Sequence, residues 1–192
     1  MTCPHARRRC SGSQDRRRLS LCPRGSGAPA RPECLTYYGD VVVERVEVLD
    51  LGVVWDPNAP EAILASNDRG RAVLALNPRH DDEDQRCVVL LWTGTRSARL
   101  SDPNDEAISG HRLYRKGLAA VVWSGRVRDS ETVRRLEQQN RVHPRHDPAS
   151  FESLVHHIVL LKEGVAEVVA ATLSIRRLNG STLEALGTAM RE

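Results

Sequence analysis

The sequence predicts an α+β fold: a curled, mainly antiparallel sheet, either a sandwich or a partly open barrel, with two short helices packed late in the chain. Three observations predict it. Beyond residue 40 the chain is a series of short apolar or β-branched runs, with Gly-, Asn- and Asp-rich turn signals about eight to twelve residues apart. The clearer helical patterns fall late and close together rather than alternating with strands, as they would around a parallel sheet. The 192 residues suffice for one core, and no run reaches the roughly eighteen apolar residues of a membrane-spanning helix.

Residues 1–36 form an Arg-, Pro-, Gly- and Ser-rich leader. It has few bulky side chains to offset its ordering entropy and is expected to be disordered. It lacks the apolar stretch of a secretory signal, so a cytoplasmic location is expected. Residues 1–34 carry +6 and residues 35–192 carry −3, within the overall +3. The leader is therefore the part with a charge basis for weak contact with nucleic acid, and the folded part is not expected to bind it. Cys3, Cys10, Cys22 and Cys34 lie in the leader at spacings that match no short zinc-binding pair.

A single globular α+β domain is expected over residues 37–178. Val41–Leu49 (VVVERVEVL) is β-branched enough for a strand, continued by Leu51–Trp55 after a bulge at Gly52. Ala62–Ser66 and Arg71–Leu76 flank Asn67-Asp68-Arg69-Gly70 and read as a hairpin. Arg86–Trp92 (RCVVLLW) is almost wholly apolar, which suits a strand buried on both faces, and Ser97–Leu100 reads as a short edge strand. Ser109 stands where it would cap a short helix over His111–Lys116, closed by Gly117. Leu118–Val127 reads as the next strand, and Asp129 or Ser130 caps a helix over Glu131–Asn140. Asp147-Pro148 opens a further helical turn. Val155–Leu161 and Val165–Ile175, joined by Lys162-Glu163-Gly164, are apolar on both faces and belong at the centre of a sheet. Ser181 and Glu184 form a capping box for a weak helix or tail over residues 179–192.

Polar chemistry gathers on two connections. Pro103–Leu118 holds Asp105, Glu106, His111, Arg112 and Tyr114, and the stretch after the first clear helix holds Asn140, His143, His146 and Asp147. Loops positioned by a sheet are where sites grow. The candidate catalytic residues are Asp105, Glu106, His111, Arg112, Tyr114, Asn140 and His143, with His111 or His143 as general base and Glu106 or Asp105 orienting it. This requires His111 to meet the Asn140–His143 turn, which a helix running back along the sheet would allow. His143 and His146 are metal-ligating types, but no metalloenzyme spacing surrounds them, so neither metal nor cofactor is assigned. His156 and His157 fall on opposite faces of their strand, so only one can serve a given site. Glu167 lies in a run of valines; if buried, its natural partner is Arg or His, and such a pair is a site candidate. There is no GxSxG elbow, no P-loop and no GxGxxG.

The runs NDEAISGHRLYRKGL, LEQQNRVHPRHDPASF and HHIVLLKEGVAEVVA resemble those of a group of uncharacterised bacterial proteins over roughly residues 100–172. The resemblance supplies no activity. Where that group has His-Asp at the hairpin turn, this chain has Lys162-Glu163, which counts against a role built on those two positions. The expected function is a binding or interaction module for a protein or small-molecule partner, with the polar cluster in a structural role. The alternative is a small hydrolase- or isomerase-like enzyme working through a His/carboxylate pair.

Overall fold

The computed structural model describes residues 43–56, 58 and 61–192, so what was read for the leader lies outside it. Among the described residues, nine strands form two antiparallel sheets that do not close into a barrel. The five-stranded sheet has the order β1 (Arg45–Val48), β6 (Ser124–Arg128), β7 (Val155–Leu160), β8 (Val165–Ala170), β5 (Ser97–Ser101). The four-stranded sheet has the order β2 (Ile63–Ser66), β3 (Arg71–Leu76), β4 (Cys87–Thr93), β9 (Thr172–Leu178). The three α-helices among the described residues, α1 (Glu131–Asn140), α2 (Ala149–Glu152) and α3 (Thr182–Arg191), fall in the last third of the chain.

Period-two alternation sorts the side chains into layers. Ala72, Leu74 and Leu76 of β3 and Val88, Leu90 and Trp92 of β4 meet Val159, Ala166, Val168 and Ala170 of the other sheet in the central core. The opposite faces of β3 and β4 bury Val73, Ala75, Val89 and Leu91 against Ala185, Leu186 and Ala189 of α3. That second cover explains why RCVVLLW is apolar throughout. On the outer face of the five-stranded sheet, Val46, Val127, Ile158 and Val165 pack against Leu113, Leu118 and Val121.

Several elements differ from the sequence reading. The expected strand Val165–Ile175 is two strands, β8 and β9, in different sheets. The chain changes sheet at Ala171, beside the bend between β4 and β5 at Gly94, whose φ is +64°. The two bends stay hydrogen-bonded, Ala171 N–H to Thr93 O at 3.1 Å and Arg96 N–H to Val169 O at 2.8 Å, so one long ladder folds over on itself to make both sheets. Leu51–Trp55 is no strand; Trp55 makes one isolated bridge to Pro78. The expected helix at His111–Lys116 is replaced by 3-10 turns at Ile108–Gly110, Tyr114–Lys116 and Leu118–Ala120, and Ser109 lies inside the first without capping it. Of the expected strand Leu118–Val127 only residues 124–127 are extended, within β6, because Leu118 and Val121 turn down into the cluster beneath the sheet.

Candidate functional site

Two carboxylates lie buried on the outer face of the five-stranded sheet. Glu167 shares its face of β8 with Val165 and Val169, and Glu44 just precedes β1; they are 6% and 3% exposed. Arg112, carried over the sheet by the 3-10 turns, joins them: Nη2 donates to Glu167 Oε2 at 2.7 Å and Nη1 to Glu44 Oε2 at 3.0 Å. Arg99, from the neighbouring edge strand, also donates to Glu167. Glu44 further accepts from Lys116 Nζ at 3.0 Å and from the backbone N–H of Glu131 at 3.0 Å, which fixes the first turn of α1. Gly117 lets the turn holding Lys116 approach β1: its φ is +109°, and a Cβ there would stand 2.4 Å from Val46 O.

Two imidazoles complete the cluster. His156 Nε2 stands 3.0 Å from Glu167 Oε2, without the alignment of a hydrogen bond. Its Nδ1 lies 2.8 Å from Ser130 Oγ, which also accepts the N–H of Val133 as the cap of α1. His111 Nε2 is 3.7 Å from Glu167 Oε1. Burial pushes the Glu167 carboxyl up, but His156, Arg112 and Arg99 outweigh it and hold the group well below the usual carboxylate range. Glu44 is lowered in the same way, burial being outweighed by Lys116, the Glu131 N–H and Arg112. Burial lowers His111 more than Glu167 raises it.

Of the residues singled out in the sequence, His111 and Arg112 are in this cluster, and Tyr114 is half-buried in the second 3-10 turn. Asp105 is at the surface, paired with Lys162 at 2.8 Å, and Glu106 is exposed. Asn140, His143 and His146 form a separate group: His146 contacts Asn140 Oδ1 at 3.0 Å and Glu137 Oε1 at 2.9 Å, while exposed His143 accepts from the N–H of Arg145. No hydrogen bond or ion pair joins His111 to the Asn140–His143 turn among the described residues. The reason is that α1 brings its N-terminus to the cluster, and ten residues of helix carry its other end about 15 Å away.

Glu44, Lys116, Arg99 and Ser130 were not foreseen. Glu44 had a signal, an acid two positions before Val46, hence on the same face of a β-branched run; the others resembled solvated surface residues and a helix cap. Compared with protein-family models, curated proteins and solved structures, the chain matches none. Geometry alone bears on function. Among the described residues no three His, Cys, Asp or Glu side chains are grouped to hold a metal ion.

Beside the cluster, between the end of β6, α1 and the α2–β7 connection, is a cavity of about 680 Å³. Val133, Phe151, Leu154 and Val155 give it apolar walls, and Arg126, Arg128 and Arg134 line it together with Asp129, Glu137 and Glu152. Phe151 is held by Arg96, whose guanidinium carbon is 5.9 Å from the ring centre.

Proposed function

We propose that this chain is a binding module that takes a small molecule in the cavity beside α1, and that the Glu44–Arg112–Glu167 cluster is the polar network that holds Pro103–Leu118 and the start of α1 on the sheet. The observation that carries this reading is that the two features are distinct. The buried carboxylates are surrounded by matched donors and neither lines the concavity, which has the size common in small-molecule sites and an apolar wall from Val133, Phe151, Leu154 and Val155. Acid–base chemistry by His111 with Asp105 or Glu106 has less support: Asp105 is engaged at the surface by Lys162, and Glu106 is exposed.

A thermal-shift screen of small molecules against the wild type, Val133→Trp and His111→Gln tests this. Val133 lines the cavity, so the larger ring should fill it. Compounds that raise the wild-type melting temperature are expected to lose their effect on Val133→Trp and keep it on His111→Gln. The opposite pattern would place the ligand at the polar cluster and overturn the proposal.

A further inference from the structure

The face of β6 that looks between the sheets carries a charge without an evident counterion. Arg126 is half-buried, lines the cavity, and makes no hydrogen bond or ion pair among the described residues; its Nε is buried without a partner. The carboxylate opposite it on β1, Glu47, is engaged by Arg45 and by Arg128 at 2.7 Å. Opposite it on β7 stands His157, 5% exposed, whose Nδ1 is likewise buried and unpartnered. The His157 ring centre is 6.2 Å from that of Trp92, whose Nε1 is a third buried polar atom with no partner. Burial, and then the charge of Arg126, push His157 down to about 4, so it is neutral near pH 7.

One buried guanidinium Nε and two buried ring nitrogens without partners are costly, and an acceptor is what they lack. Taking the cavity as the ligand site proposed above, we infer that its ligand is a carboxylate on an apolar body, with the carboxylate paired to Arg126 and the body laid against Val133 and Phe151. The planar guanidinium fork matches a carboxylate in two parallel hydrogen bonds. Arg128 and Arg134 line the same cavity, but so do Asp129, Glu137 and Glu152, and Arg128 is engaged by Glu47. With three guanidiniums set against three carboxylates and His157 uncharged, the site suits a monoanion better than a phosphate dianion. His157, paired with Arg126 across β6 and β7, and Trp92 beside it leave two further nitrogens without partners next to this position.

Calorimetric titration of the full chain with octanoate, octanol and octyl phosphate tests the inference, using wild type, Arg126→Met, Arg126→Lys and Val133→Trp. Octanoate is expected to bind wild type at least tenfold more tightly than octanol or octyl phosphate. Arg126→Met should reduce octanoate to the level of octanol without weakening octanol, and Arg126→Lys should fall between. Arg126→Met should melt at or above the wild-type temperature, since it removes an unpaired charge, which separates lost binding from lost folding. Equal binding of octanoate and octanol, or tighter binding of octyl phosphate, would overturn the carboxylate and leave the cavity. No binding of any probe, or binding that Val133→Trp leaves unchanged, would overturn both.

Discussion

His157 shows how a single residue ties stability to pH. In the unfolded chain it takes a proton below its ordinary value of 6.5, whereas in the folded chain it stays neutral until about 4. Between those values the unfolded state binds more protons, so folding stability rises with pH across that window and is lost as pH falls through it. The groups facing it are Arg126, whose charge reinforces the effect, and Trp92, which has none. Wild type is expected to lose up to about 3 kcal/mol between pH 7 and pH 4 from this residue. Urea unfolding across that range should show a flatter profile for His157→Phe; parallel profiles would count against a buried neutral imidazole. Below about pH 4.5 Glu167 adds to the fall, since its depressed carboxyl contributes stability above its ordinary value and loses it only as pH drops further. The opposite facing of His156 and His157, and the need of a buried Glu167 for Arg or His, were legible in the sequence, because strand alternation and the cost of burying a charge are local rules. That Arg126 is turned inward was not, since an Arg in a strand is ordinarily solvated.

At the scale of elements, the strands with strong alternation or unbroken apolar runs were legible, and so was the hairpin around Gly70. What escaped was where the backbone bends. Nothing in Ala170-Ala171-Thr172 marks a change of sheet; the glycine that lets the two bends approach is Gly94, in the connection between β4 and β5, where an added Cβ would stand 2.8 Å from that of Ala171. The 3-10 turns escaped for a similar reason: Leu118 and Val121 are drawn under the sheet by tertiary burial that overrides local strand propensity. Gly117 is the hinge of that segment. Gly117→Ala combines a left-handed backbone with a Cβ driven into Val46 O, so it is expected to cost more than about 2 kcal/mol. Gly52→Ala, with φ +66° and nothing within 4 Å of the added carbon, bears the conformational term alone and should cost about 1 kcal/mol. Similar losses for the two variants in denaturant unfolding would mean that Gly117 does not lock Lys116 and Arg112 over the carboxylates.

For the whole molecule, the legible part was the class, and the illegible part was the number of layers. Two sheets need only one core between them, yet β3 and β4 are apolar on both faces and therefore demand a second cover. The capping box at Ser181 and Glu184 announced a helix but not its importance, since caps start helices and packing secures them. The helix lies on β2, β3 and β4, burying Ala185, Leu186 and Ala189, and Arg71 donates to the carbonyl of Ala189 at 2.9 Å near its end. Removing residues 180–192 would expose the outer faces of Val73, Val89 and Leu91 as well as losing Leu186. At roughly 1.5–3 kcal/mol for each large side chain uncovered, partly offset by the ordering entropy no longer required, the truncated chain is expected to lose about 3–6 kcal/mol. Leu186→Ala alone should cost about 2–3 kcal/mol, and Ser181→Ala about 1 kcal/mol through the cap. Because α3 packs on β2, β3 and β4 and the polar cluster lies on the outer face of the other sheet, the losses should appear first as fast amide exchange in β2 and β3 and later in β7. A truncated chain within about 1 kcal/mol of the full one would mean that the exposed sheet face tolerates water, and the four-layer account of stability would fall with it.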